Sequence, residues 1–222
     1  RFGSYQGKDV LQYSLTNRSG TRISVLNYAG ILREFSVIDD QKRVQLLLRS
    51  DRLADYTDNS MYLNHIIART AGRIKDARFE LNGKEIELPA NENGNSLHGG
   101  PHSFAKSFFD IKADSDKNRI ILEKTLSTAD DGFPGSLKLK IIYQLDENDL
   151  LSVSFIGQQS ESDDVFNPTL HTYFNLAGQG NDDVTDHQLW INSDKHLEVD
   201  QGKNPTGKLL ANQGPFDLKK SA

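Results

Sequence analysis

Apolar and polar positions alternate with a period of two along most of this chain. Ile23 and Val25, then Val44, Leu46 and Leu48, then Leu137, Leu139, Ile141, Tyr143 and Leu145 are each separated by polar or charged neighbours. This is the pattern of strands with one buried and one wet face, and it turns Lys138 and Lys140 toward water. Further strands are predicted around Phe109 to Ala113, Arg119 to Leu126 and Leu150 to Gly157, the last following the polar turn Asp146-Glu147-Asn148-Asp149. Between Phe79 and Leu88 two short alternating runs flank Asn82-Gly83, a pair that accepts the positive φ angles of a type I′ turn, so a hairpin is expected there. The only segment that reads as helical is Arg52 to Tyr56, with Ser50 or Asp51 placed to cap its first turn.

Strands punctuated by turn signals, without long helical patterns between them, argue against a parallel α/β sheet. They favour an all-β antiparallel sandwich or barrel. No internal repeat, low-complexity tract or Pro/Gly/Ser linker divides the sequence, so residues 1–222 are read as a single domain. Two loops, Ala90 to Ser103 and Ala177 to Asp186, are rich in glycine, proline and asparagine, and loops on a β scaffold are where sites tend to lie.

Composition changes this picture mainly by exclusion. With 36% hydrophobic and 26% charged residues the chain is an ordinary soluble globular sequence, and 222 residues suffice to bury a substantial core. A net charge of -5 gives no electrostatic reason to bind nucleic acid or an anionic membrane. The absence of cysteine removes thiol catalysis, disulfides and cysteine metal sites. No apolar run approaches the length of a membrane span and no leader pattern opens the sequence, so a cytoplasmic location is the default expectation. The chain opens at Arg1 rather than at methionine, which points to a start further upstream.

Several motifs bear on chemistry. Gly3-Ser4-Tyr5-Gln6-Gly7-Lys8 is too short between its glycines for a phosphate loop and is followed by Asp9 where a hydroxyl should stand. His98 and His102 are four apart, but Gly99, Gly100 and Pro101 forbid the helix that would align them on a metal, and no Gly-x-Ser-x-Gly nucleophile elbow occurs. In Asn95-Ser96-Leu97-His98-Gly99-Gly100 a histidine precedes two glycines, which suits either a backbone turn that approaches a small polar ligand closely or a plain glycine turn with a surface histidine. His171 lies in Asn167-Pro168-Thr169-Leu170-His171-Thr172-Tyr173-Phe174-Asn175-Leu176, among apolar rings and hydrogen-bonding groups that could orient it and tune its proton affinity. The same surroundings would also suit a satisfied histidine in a buried strand.

Arg69 and Arg73 share an apolar stretch with the same parity; whichever is buried must be paired or face a ligand. Asp130-Asp131-Gly132-Phe133-Pro134-Gly135 reads as a solvated turn feeding the strand at Leu137. Trp190, Tyr62 and Phe133 could stack on a sugar, although aromatic rings of this size are commonly core.

Taken in order, these stretches resemble the aldose 1-epimerase (galactose mutarotase) family. They are Thr70-Ala71-Gly72-Arg73-Ile74 with the 79–88 hairpin, Asn95 to Gly100, Asp131-Gly132-Phe133-Pro134-Gly135, Asn167-Pro168-Thr169 with His171 and Tyr173-Phe174-Asn175-Leu176, Asp186-His187, Pro205-Thr206-Gly207 and Phe216-Asp217-Leu218. The resemblance implies a galactose mutarotase-like β-supersandwich and interconversion of the α and β anomers of a monosaccharide hexose through the open-chain aldehyde, with no metal or nucleotide cofactor. It also implies His171 as the acid that protonates the ring oxygen, His98 as a second histidine bonded near that oxygen, and Arg73 as a contact to sugar hydroxyls. Leu170 and Thr172 depart mildly from the family pattern around His171.

In the family the catalytic glutamate base and a substrate-binding aspartate lie beyond the Phe-Asp-Leu segment. The chain is therefore expected to be roughly the first two-thirds of such a protein. Glu198, Asp200 and Asp217 are the carboxylates of this chain that could stand in, and none occupies a matching motif position. Two other readings stay open: a non-catalytic carbohydrate-binding or regulatory module on this fold, and a hexose-6-phosphate epimerase using Arg69, Lys75 or Arg78 for the phosphate.

Overall fold

The computed structural model describes residues 1–58, 61–180 and 183–219. Two four-stranded antiparallel meanders form its body. The first runs Gln12–Thr16, Arg22–Leu26, Leu32–Asp39 and Lys42–Gln45; the second runs Asp110–Asp114, Arg119–Leu126, Ser136–Leu145 and Leu151–Ser160. Leu15, Ile23, Val25 and Leu32 from the first meet Ile120, Leu122, Leu139 and Ile141 from the second in one buried cluster. Two sheets packed through their apolar faces make an all-β sandwich. No described helix is long and apolar enough to cross a membrane.

Period-two alternation does what it predicts in the central strand Ser136–Leu145. Leu137, Leu139, Ile141, Tyr143 and Leu145 are buried, while Lys138 and Lys140 turn to the other face and both approach Glu123. The Tyr143 hydroxyl finds the carbonyl of Gly30 at 2.7 Å, which satisfies the one polar atom on that buried face. The hairpin Arg78–Leu81 to Lys84–Glu87 also forms, with Asn82 at φ 53° and Gly83 at φ 74°. Gly3–Tyr5 and Lys8–Val10 pair as a small hairpin across Gln6-Gly7, so Gly3 opens a strand and Gly7 sits in its turn.

Three expectations need correction. The alternation read through Val44, Leu46 and Leu48 breaks: the strand ends at Gln45, Leu47 is the buried residue and Leu48 is exposed. There the chain leaves its sheet neighbour and pairs with 173–175 instead. Leu48 N–H donates to the Tyr173 carbonyl and Asn175 N–H to that of Leu46, each at 2.8 Å, and the new partner sets a new inward side. The short helix forms at Ala54–Thr57 rather than 52–56 and has no side-chain cap, because its N-cap position is the apolar Leu53; Asp51 is paired with Arg33, and the Ser50 hydroxyl bonds Arg52 N–H and Asp55. The segment read as a solvated turn at 130–135 begins with a one-turn helix, Thr128–Asp131. Ser127 N–H donates to the Asp130 carboxylate at 2.7 Å in its first turn, and Asp131 is buried.

Candidate active site

Two short strand pairs bring the predicted residues together. Arg73–Ile74 runs antiparallel to Ser96–Leu97, with Arg73 opposite Leu97, and His98 N–H then donates to the Gly72 carbonyl at 2.9 Å. Ile66–Ile67 runs antiparallel to Thr169–Leu170, and His171 N–H donates to the His65 carbonyl at 2.9 Å while Asn64 N–H donates to the carbonyl of His171 at 3.0 Å. Because 64–74 is one continuous stretch, it carries His98 on one flank and His171 on the other. The imidazoles meet edge to face with centroids 5.3 Å apart.

The backbone around the pair is unusually constrained. His98, Gly99 and Gly100 all have left-handed φ angles, and at Gly99 a side chain is excluded outright: a Cβ there would stand 2.5 Å from the Ala68 carbonyl oxygen. Tyr62 and Asn64 are also left-handed, which for a tyrosine is an uncommon conformation that clusters at functional sites. Asn64 holds the neighbouring strand with its side chain, accepting from Tyr173 N–H at 3.0 Å and donating to the Leu48 carbonyl at 2.8 Å. Tyr62 packs its ring against His98 at 4.9 Å and near His171 at 6.3 Å, and Tyr173 lies 5.3 Å from His171 on another side.

His98 has a fixed tautomer. Its Nδ1 accepts the N–H of Gly72 at 3.1 Å, so in the neutral ring the proton sits on Nε2 and makes it a donor. Burial, with the charges of His171 and Arg73, pushes the His98 pKa down to about 4, which keeps the ring neutral near pH 7. Burial raises the Tyr62 hydroxyl, aided by Glu92. Arg73 makes a two-point ion pair with Glu92, its Nε lying 2.8 Å from Oε2, and the pair holds Glu92 below the usual carboxylate range. The site therefore offers a neutral donor, a second imidazole and a cation whose partner leaves part of the guanidinium available.

The sequence left open which arginine is buried, and the structure answers with Arg69, fully enclosed at 0% exposure. Its Nε and Nη2 take the two oxygens of Asp131 at 2.9 and 3.1 Å, and its Nη1 takes Asp164 at 2.6 Å. The carbonyls of Leu126, Pro134 and Gly135 accept its remaining N–H groups. Arg69 is thus spent on structure. Of the other candidate phosphate ligands, Lys75 faces Asp200 at 3.5 Å and Arg78 is exposed on the hairpin. Phe133 is core beneath Arg69, Trp190 is exposed and donates to the Lys219 carbonyl, and Tyr62 alone of the three aromatic candidates lies beside the histidines.

The carboxylates weighed as substitutes are engaged elsewhere. Glu198 bonds Thr206 across the hairpin Lys195–Val199 to Pro205–Ala211, and Asp200 closes that hairpin's turn by accepting from Asn204. Asp217 lies beyond, just after the short turn Gly214–Phe216. Of the glycine-rich 177–186 loop, Asn181 and Asp182 fall outside the described residues. Among those described, no three His, Cys, Asp or Glu side chains gather as a metal site.

Sequence reading missed His65, Asn64, Glu92 and the weight of Asp131. His65 is 3% exposed, gives its Nδ1 to the Ala105 carbonyl at 2.9 Å and stands 6.0 Å from the Tyr62 ring. Its local sequence, Leu63-Asn64-His65-Ile66-Ile67, was a usable signal: one polar pair just before an apolar run marks a buried corner whose polar groups are held by the backbone.

Burial pushes His65 down to about 4, which sets a stability prediction. The unfolded chain takes up the proton near pH 6.5, so stability is level above that pH and falls as pH drops toward about 4. The expected loss from this one group is about 3 kcal/mol. Denaturant unfolding at pH 7 and pH 4 measures it, and His65→Gln should flatten the slope between them; identical slopes for the two proteins would refute a neutral, buried His65.

Residues 11–222 match the family described as Aldose 1-epimerase. The chain is 41% identical over 217 residues to a maltose epimerase of Levilactobacillus brevis, a match covering 96% of the chain and 62% of that protein. It is 35% identical over 201 residues to the galactose mutarotase of Bos taurus, covering 90% of the chain and 58% of that protein. Among solved structures, galactose 1-epimerase from Lactobacillus acidophilus superimposes with a TM-score of 0.83 at 27% identity, over 99% of this chain and 64% of the other. The chain thus spans about three-fifths of the length of the curated relatives it matches.

Proposed function

The chain belongs to the aldose 1-epimerase family, and from that premise we propose that the protein carrying it interconverts the α and β anomers of a reducing hexose by ring opening. The observation that supports this most directly is the edge-to-face pair of His98 and His171, 5.3 Å apart, with Arg73 in register beside it. In the proposed reaction His171 protonates the ring oxygen, a base removes the proton of the C1 hydroxyl, and the bond from C1 to the ring oxygen breaks. The aldehyde rotates about C1–C2 and the ring closes on its other face, returning both protons. His98 contributes a hydrogen bond from Nε2 toward the ring oxygen, where negative charge gathers before the proton arrives. Arg73 holds hydroxyls of the sugar. The family resemblance assigns the base to a glutamate beyond Phe216-Asp217-Leu218.

The substrate we favour is a neutral reducing sugar with glucose or galactose at its reducing end, free or as part of a disaccharide. Relatives whose names specify galactose and maltose stand on either side of that choice. The cations offered for a phosphate are enclosed, paired or distant on the surface, which weighs against a phosphorylated substrate. The test is polarimetric: the full-length protein should accelerate the decay of optical rotation of freshly dissolved α-D-glucose or α-D-galactose. Sugar binding by calorimetry without any acceleration would point instead to a binding module on this fold.

A further inference from the structure

Beside the histidine pair lies a cleft of about 470 Å³, whose walls include Asp58, Tyr62, Asn91, Glu92, Leu97 and Lys106. We propose that this cleft is a subsite for a second, neutral sugar residue, so that the protein takes reducing disaccharides with the non-reducing ring seated here; this rests on the epimerase reading. None of His98, His171 or Arg73 lines the cleft, yet it adjoins all three through shared walls. The Tyr62 ring lies against both imidazoles, Glu92 grips Arg73, and Leu97 immediately precedes His98. A ring attached to a hexose held at the histidines would therefore face a cleft whose walls are shared with them.

The walls have the chemistry of a sugar site rather than of an anion or apolar site. Small-ligand sites combine a few placed polar groups with apolar surface in a volume of this order. Here Tyr62 and Leu97 supply the apolar surface, while Asp58 and Lys106 supply an acceptor and a donor from opposite segments, the end of the helix Ala54–Thr57 and the turn Phe104–Lys106. Neither has an ion-pair partner among the described residues, so each is left with hydrogen-bonding capacity that hydroxyl groups could meet. Two carboxylates against one ammonium disfavour a phosphate.

The walls are also held in place before any ligand arrives. Asn91 is clamped to Leu97 by both of its amide atoms, at 2.7 and 3.0 Å, and Glu92 is fixed by Arg73. Such preorganisation reduces the ordering that binding would otherwise require.

The experiment compares the full-length protein with Lys106→Met and Asp58→Asn, measuring mutarotation of fresh α-maltose and α-D-glucose and, by calorimetry, the binding of the same two sugars. Both side chains are exposed, so the variants keep the fold. Each variant should lower the ratio of kcat/KM for maltose to that for glucose, and the matching ratio of affinities, by about tenfold, the scale of a hydrogen bond to a charged group. Ratios equal to those of the unmodified protein would overturn the subsite while leaving the epimerase standing. If neither sugar is turned over, the epimerase reading falls, and the affinity ratio still decides whether a second ring is bound in the cleft.

Discussion

Alanine in place of His171 is expected to slow mutarotation of fresh α-D-glucose by a hundredfold or more, the scale of a lost general acid. The effect should appear in kcat rather than in folding. His171 is held in its strand by backbone bonds, its N–H to His65 and its carbonyl from Asn64, and both survive removal of the ring. The ring is partly exposed and edges its aromatic neighbours without filling a closed core position. An alanine variant with an intact unfolding transition and an undiminished rate would remove His171 from the chemistry and leave the proton for the ring oxygen without a source.

The largest stability effect should come from a residue that never meets the sugar. Asp131→Ala leaves the guanidinium of Arg69 fully enclosed and deprived of two of its hydrogen bonds. Breaking one side of a buried ion pair costs about 3–5 kcal/mol, because the remaining charge has no water to turn to. Asp164 and three carbonyls still face the cation and keep the loss from growing further. Asp131→Asn preserves the shape and one acceptor and should cost less. Chemical denaturation measures both variants, and a loss under about 1 kcal/mol for Asp131→Ala, the worth of an ordinary hydrogen bond, would contradict the account. The consequence reaches the site as well, since the Arg69 carbonyl accepts Asn167 N–H at 2.8 Å in the strand that leads to His171.

These two residues also show what could be read in advance. The strands Arg119–Leu126 and Ser136–Leu145 and the 78–87 hairpin were legible because their two faces differ in polarity and their turns carry residues that accept positive φ. Leu47 was not, since its inward side is set by the distant segment 173–175 and not by its own neighbours. His98, His171 and Arg73 were singled out by the resemblance to the aldose 1-epimerase family, and the structure brings them near one another by two strand registers that no single motif contains. Asp131 looked like one acid in a common turn. Its weight comes from Arg69, 62 residues earlier in the chain, and from a parity pattern that treated Arg69 and Arg73 alike. Glu92 and Asn91 escaped notice because a loop has no period from which an inward direction could be inferred.

The amide of Gly72 that occupies Nδ1 of His98 bears on how such a catalyst runs in both directions. An anomer interconversion has no preferred way forward, so whatever serves one face of the sugar must be ready in the same form for the other. A ring whose lone pair is tied to the main chain cannot pass a proton through from one nitrogen to the other. It ends every passage in the state in which it began. In the proposed reaction a donor fixed in this way needs no recovery step, and forward and return traffic meet it in the same form.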